Sequence, residues 1–587
     1  MSRETPELGA FPEAGGVRFV VWSSHAREVA VRLFDERAAP VRDASLAARG
    51  GGVFASRIEA VGPGALYKFV LDGRELPDPY ARELPFGVHG PARVAARVKG
   101  PPALGDAARR VHRGTYELHV GAFTEAGTFA AAIERLDHVA SLGAGAIELM
   151  PVSSFPGRWG WGYDGVAHFA PQRTYGSPDA LRALVAEAHR RGLAVLMDVV
   201  FNHFGPDGNY LGAYSPEYFG GRDTTWGTGP DFENPFMRAY ALDNARMWFD
   251  EFGVDGLRLD ATHAIHDGSP RHVLRDLADV ASACAPPRLL VAEDERNDPA
   301  LVTELGMNAV WADDFHHQVR VLLTGERDGY FSAFAPDVAD LATLVERGWL
   351  YEGQVSPWTR APRGGDAHAL TPPAMVYAVQ NHDQIGNRAF GTRLDVDAGS
   401  IDALLAGVTL LLFLPASPLL FMGQEWGAST PFLFFSDHEG ELGAAVTRGR
   451  REEFRHFAAF SDPERAAKIP DPQAESTFVG SKLRWDELGR APHDRALVLH
   501  RALLALRRDD PVIADPTRRG LVAEARGRVL AVTRGEGDAR RLCVVNFGDA
   551  PAAPFTPRGP EARWTRLVGT HDDAALVPPR GAAIYRT

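Results

Sequence analysis

The sequence predicts a (β/α)8 TIM barrel with a β-sandwich at either end. From about residue 113, short apolar runs alternate with helical patterns, as in a parallel sheet closed by crossover helices. Four of those runs end in polar residues: Asp198-Val-Val-Phe-Asn202-His203, Gly256-Leu-Arg258-Leu-Asp260-Ala-Thr-His263, Val291-Ala-Glu293-Asp294 and Gln380-Asn-His382-Asp383. Polar residues at the carboxyl ends of buried strands are where such a barrel builds its site. The two ends of the chain instead alternate short β runs with turn residues, which is sandwich patterning.

Taken in order, the first module spans 1–98. Its runs are Val17–Trp22, Val29–Phe34, Gly52–Ile58 and Leu66–Leu71. A Pro/Gly/Ala-rich linker, about 99–112, leads to the barrel at 113–480. Candidate barrel strands are Tyr116–Ala122, Ala146–Val152, Ala194–Val200, Gly256–Ala261, Leu289–Glu293, Ala309–Ala312, Ala374–Gln380 and Leu410–Leu414. Ser177-Pro178, Asn234-Pro235 and Ser269-Pro270 each set a capping side chain before a proline, which predicts three helix starts. Apolar spacing through Phe129, Ala132, Ile133, Leu136 and Ala140 predicts one helix over 128–142. The stretch 201–234 is far longer than an ordinary strand-to-helix loop and predicts a small inserted domain. From about 490 to 587 the β runs return: Val529–Thr533, Leu542–Phe547, Trp564–Val568 and Ala582–Tyr585.

At 587 residues the chain exceeds one core, so two to four domains are expected. Lys+Arg 63 against Asp+Glu 76 gives a net charge of −13, which argues against nucleic acid or an anionic membrane and suits a neutral ligand such as a sugar. The two cysteines, Cys284 and Cys543, read as buried free thiols rather than a disulfide framework. The first residues carry no apolar leader, and the apolar stretch around Leu410–Leu414 is too short to span a bilayer, so the chain reads as cytoplasmic.

Asp260, Glu293 and Asp383 come from three different strands. Three such carboxylates suit glycosidic bond cleavage, which needs a nucleophile, an acid/base and a clamp on the sugar. Arg258 is two residues before Asp260, so strand alternation turns both to the same face and gives the carboxylate a counter-charge. Glu293 ends the apolar Leu289-Leu-Val-Ala. Asp294 and Glu295 are adjacent alternatives, and register favours Glu293. His316-His317 raises a zinc reading; neighbours on a strand would face opposite ways, and no cage of oxygen ligands for a hard cation is visible either. No metal and no cofactor are expected.

The four polar segments, in this order and spacing, closely resemble the α-amylase superfamily of glycoside hydrolases. That resemblance implies Asp260 as nucleophile, Glu293 as acid/base and Asp383 as the third carboxylate that grips sugar hydroxyls. It implies substrate contacts from Tyr163, Asp198, His203, Arg258, His263 and His382. Asp72-Gly-Arg74 with Pro77-Asp-Pro-Tyr80 is similar to the N-terminal carbohydrate-module-like domain of branching and debranching members. Trp159-Gly-Trp-Gly-Tyr-Asp-Gly165, Asp314-Phe-His-His-Gln318, and Met422-Gly-Gln-Glu425-Trp426 with Thr430–His438 narrow the resemblance to the maltooligosyltrehalose trehalohydrolases. Such an enzyme would cut the α-1,4 bond beside a terminal trehalose, with maltooligosyltrehalose and trehalose as its ligands, downstream of a maltooligosyltrehalose synthase in trehalose biosynthesis. Glycogen branching enzymes share the plan and remain the alternative. A non-catalytic glucan-binding protein on an amylase scaffold is a remote one, since such relatives lose carboxylates of the trio. Trp226, Phe434 and Phe435 are candidates for reading the trehalose unit, with core packing as the competing role.

Overall fold

The computed structural model describes residues 5–224, 227–454, 467–558, 562–572 and 575–587. Its centre is a closed barrel of eight parallel strands. These are β1 (Thr115–Leu118), β2 (Ala146–Leu149), β3 (Ala194–Val199), β4 (Gly256–Leu259), β5 (Leu289–Glu293), β6 (Ala309–Trp311), β7 (Met375–Ala378) and β8 (Ser417–Phe421), paired in chain order with β8 returning to β1. The strands are buried on both faces, because helices cover the outside and side chains fill the inside.

The eighth strand is not Leu410–Leu414. Those residues belong to the end of a helix, Ile401–Phe413, and the strand follows at Ser417–Phe421. The helix is apolar all round because it is covered on all sides, with strands of the C-terminal sheet packed against it. A short apolar run cannot by itself distinguish the two.

The helix starts at Ser177 and Asn234 are present. Ser177 accepts from Ala180 N at 3.2 Å, and Asn234 Oδ1 from Phe236 N at 2.8 Å. Ser269-Pro270 does not start a helix: Val273–Ser282 begins three residues later, with His272 as its cap, while Ser269 bonds Arg238. The stretch 128–142 is two helices, Phe129–Ile133 and Leu136–Leu142, broken at Glu134-Arg135. Its apolar face runs across the break, so periodicity did not reveal it.

Near the N-terminus two antiparallel sheets face each other. One orders Gly9–Glu13, Gly16–Trp22, Val53–Glu59 and Ala47–Gly50; the other orders Pro40–Ser45, Val29–Phe34, Leu66–Leu71 and Arg74–Leu76. Phe19 crosses between them onto Tyr67 and Phe69. This unit is fastened to the insertion after β3 and to the helix Pro235–Asp250. Trp22 stacks on Phe236 at 4.1 Å, Tyr80 meets Tyr218, and Arg82 pairs with Glu251 at 3.1 Å. The insertion itself holds a short helix, Leu211–Tyr214, and a hairpin of Phe219–Thr224 with Gly227–Pro230.

After the barrel, the helix His493–Asp509 leads to a five-stranded antiparallel sheet, Val522–Arg526, Val529–Glu536, Ala539–Asn546, Ala582–Arg586 and Thr565–Gly569 in sequence order except that the last two exchange places. One face lies on the helix Ile401–Phe413; the segment in which Ala552 bridges Val577 covers the other. Cys543 is buried in this sheet and Cys284 is half-buried rather than enclosed; both are free thiols.

Candidate active site

The barrel mouth collects carboxylates around one cation. Arg258 is wholly enclosed on β4, and its register partner across the ladder is Asp198 on β3. Its Nη1 donates to both oxygens of Asp198, at 3.0 and 2.9 Å, and to Asp260 Oδ1 at 2.7 Å. Nη2 stands 3.6 Å from Glu293 Oε2. The indole of Trp311, from β6, lies under the guanidinium at 4.4 Å. A single cation thus faces carboxylates from β3, β4 and β5, and its charge lies closest to Asp260.

Asp260 also takes a 2.8 Å hydrogen bond from Asn202 Nδ2, whose carbonyl faces His203 Nδ1. Both polar ends of Asn202 are therefore used inside the site. Directly after Asp260, Ala261 turns into the left-handed region at φ 40°, a costly position for a residue with a Cβ. The turn aims the Ala261 N–H at Glu293 Oε2, 2.5 Å away. Burial pushes the Glu293 carboxyl well above its ordinary range against the pull of Arg258, with Asp260 and Asp383 adding to the rise. The same depth pushes Asp198 up to about 7.

The neighbouring acid Asp294 points elsewhere. It is buried, accepts from Thr262 at 2.8 Å, and pairs with Arg296 at 2.6 Å. That geometry separates it from Glu293, as strand alternation requires. Tyr163 bonds Asp198 at 2.6 Å and His382 Nε2 at 2.8 Å, and its ring lies nearly parallel to that imidazole. His203 Nε2 contacts the Tyr163 carbonyl at 3.0 Å. His382 stands 3.5 Å from Asp383, which is about a third exposed at the mouth. His263 is half-buried in the turn after Asp260, with no partner on Nδ1 among the described residues.

Three groups missing from the sequence reading complete the floor. Glu117, from β1, accepts from the His382 backbone at 3.1 Å and from its Nδ1. With Asp383 on the other side, it outweighs burial and raises His382 to about 9. Glu148, from β2, is buried, and burial, with Glu117 and Asp198 adding to the rise, pushes its carboxyl well above its ordinary range. Trp311 is the third. The available signal was a glutamate inside a strand buried on both faces, as in Thr115-Tyr-Glu-Leu118.

His316 and His317 lie on a helix, Asp314–Thr324, and not on a strand. Their rings touch at 4.1 Å, so the argument from opposite strand faces does not hold. Phe435 is enclosed in the core against His119 and Phe432; Phe434 is half-buried, edge-on to Trp161. Trp226 lies outside the described residues. Among those described, Glu352, Asp366 and His368 bring ligand atoms within 4.8 Å of one another, at a place none of the four motifs contributes to.

The catalytic-domain family model "Alpha amylase, catalytic domain" matches residues 108–220, and that of carbohydrate-binding module 48, the isoamylase N-terminal domain, matches 7–81. A malto-oligosyltrehalose trehalohydrolase of Deinococcus radiodurans is 47% identical over 94% of this chain and 92% of its own length. The chain belongs to the malto-oligosyltrehalose trehalohydrolase family. A trehalohydrolase of a Rhizobium species is 38% identical over 99% of both chains. A crystal structure of a Salmonella typhimurium protein described as an alpha amylase superposes with a TM-score of 0.90 at 34% identity, over 99% of this chain and all of that one. The branching enzyme GlgB of Corynebacterium jeikeium matches at 36% identity over only 43% of this chain. As a member of the trehalohydrolase family, the chain is a glycoside hydrolase of the α-amylase superfamily.

Proposed function

We propose that this protein hydrolyses the α-1,4 bond beside the terminal trehalose of maltooligosyltrehalose, by double displacement with retention. The observation that carries the chemistry is the pairing of Asp260 with Arg258 while Glu293, one strand away, is raised by burial. A carboxylate beside a fixed cation can attack the anomeric carbon, and a carboxyl held protonated can give its proton to the departing oxygen. Asp260 attacks; Glu293 first acts as acid, then as base toward water. Asp383 and His382 hold hydroxyls of the sugar at the cleavage point, and Tyr163 offers the ring on which it stacks. Arg258 and Asp198 fix Asp260, and His203 and His263 line either side. The substrate follows from the family, whose named members are trehalohydrolases. Its 1,1-linked end implies an upstream synthase that converts a maltooligosaccharide end into trehalose. A cytoplasmic setting suits both steps, and among the described residues no helix is long and apolar enough to cross a membrane.

The test is product identity. Maltooligosyltrehalose and a plain maltooligosaccharide are supplied separately to the purified protein. Free trehalose from the first, with much slower turnover of the second, is expected. Formation of α-1,6 branches on amylose would replace this reading with the branching reaction.

A further inference from the structure

The segment from Asp313 to Gln318 belongs to none of the four polar motifs, yet it walls the site. Asp314 is enclosed and fastens a neighbouring loop: its Oδ2 accepts from Asn297 at 2.9 Å and from Leu350 N at 2.8 Å, and its Oδ1 pairs with Arg363 at 2.7 Å. His317 packs beneath Tyr330, Phe331 and Phe334. Of these, His317, Tyr330 and Phe334 border a groove of about 870 Å³ that is also lined by Asp383, Glu295, Arg296 and Trp358. Glu295 and Arg296 lie two and three residues beyond the acid Glu293 in the chain. The groove therefore lies on the side where the departing sugar must sit, because the acid protonates the departing oxygen.

Asp313 lines this groove with its side chain four-fifths buried. It does not cap the helix that follows it, and among the described residues its carboxyl accepts no hydrogen bond; the ring nitrogen His316 Nδ1 lies 3.9 Å away, and burial lowers that imidazole to about 3, so it carries no charge near neutrality. Without a protein hydrogen bond, this carboxyl is left to the groove, where a ligand that displaces water must supply its partner. Burial pushes it up to about 7, against Arg363 and with Asp383 adding to the rise, so near neutrality it both accepts and donates. Trp358 and Tyr330, both exposed, offer faces for a sugar ring. Such faces bind without selecting; polar groups left unpaired by the wrong ligand select.

We infer that Asp313 hydrogen-bonds a hydroxyl of the departing disaccharide and so determines which leaving group the enzyme accepts. The inference rests on the proposed cleavage beside trehalose. Losing a hydrogen bond between a hydroxyl and a charged group corresponds to about 10- to 100-fold in kcat/KM. Full-length Asp313→Asn and Asp313→Ala are compared with the unsubstituted enzyme on two substrates. Maltotriosyltrehalose fills the groove; α-maltotriosyl fluoride does not, because fluoride leaves without entering it. The ratio of the two kcat/KM values is expected to fall about 10- to 100-fold, and trehalose as a product inhibitor is expected to weaken by a similar factor. Equal losses on both substrates would overturn the inference, since Asp313 would then act on Asp260 or on folding; so would a lower ratio with trehalose inhibition unchanged, since Asp313 would then act through the acid Glu293, which a fluoride leaving group does not need. So would no loss on either. Failure of the unsubstituted enzyme to release trehalose would sink the cleavage reading itself, before any variant is made.

Discussion

Arg258 faces three carboxylates and carries one charge. The geometry resolves the imbalance by distance and burial: the cation lies on Asp198 and Asp260, and Glu293 rises. Asp260→Asn and Glu293→Gln should each cost about 100- to 10,000-fold in kcat/KM with circular dichroism unchanged. Near-normal turnover by Glu293→Gln would move the acid elsewhere, although Asp294 is already committed to Thr262 and Arg296. Because Glu293 must enter the reaction protonated, kcat/KM should fall on the alkaline side as pH passes its raised value. A fall already between pH 4 and 5, where an ordinary glutamate titrates, would show that burial does not act as described. His382 adds a stability term of the opposite origin. Its folded pKa, about 9, exceeds the ordinary 6.5, so its contribution is complete below 6.5 and fades as pH rises through 9. The melting-temperature gap between the protein and His382→Asn should shrink over that window. The motif residues were legible because each ends an apolar run. Glu117 and Glu148 were not, since a single glutamate within a strand reads as a solvent-facing position until the opposite wall is known.

Strands β4 and β5 set the stereochemistry. Their ladder pairs Arg258 with Val291 and Leu259 with Ala292, so the next step brings Asp260 level with Glu293. Neighbouring strands lie about 4.8 Å apart. Retaining enzymes need about 5–5.5 Å between the two carboxyl groups, and inverting ones more. NMR of the first-formed maltooligosaccharide should therefore show the α-anomer; the β-anomer would refute the shared-register argument. On the outside of the barrel, Asn234 caps the helix Pro235–Asp250, and Asn234→Ala should lower stability by about 1 kcal/mol in denaturant titration. Capped starts at Ser177 and Asn234 were readable because side chain, proline and apolar face agree. Ser269-Pro270 had the same dipeptide, but Asp267 takes the Val273 N–H and delays the helix. The eighth strand was misplaced because its helix, enclosed between barrel and C-terminal sheet, has no polar face to reveal a period of 3.6.

The whole molecule is coupled more tightly than its modular sequence implies. Patterning separated three regions, yet Trp22, Tyr80 and Arg82 of the first are spent on the barrel's insertion and its following helix. Removing residues 1–98 should leave a barrel that aggregates on expression, because those partners become exposed; a soluble, fully active truncation would contradict this. Turnover should survive exhaustive dialysis against EDTA, since Asn202 is occupied by Asp260 and His203; loss of activity restored by calcium would contradict that. Closure of the barrel has a further consequence, for synthesis. β1 finds its second neighbour only in β8, and Tyr116 reaches Glu425 across 309 residues of chain. A ribosome adding about 5–20 residues per second needs roughly 15 to 60 seconds for that length. For that time the growing chain carries an open, apolar strand edge, so the cell must shield the nascent barrel or risk losing it to neighbouring copies on the same message.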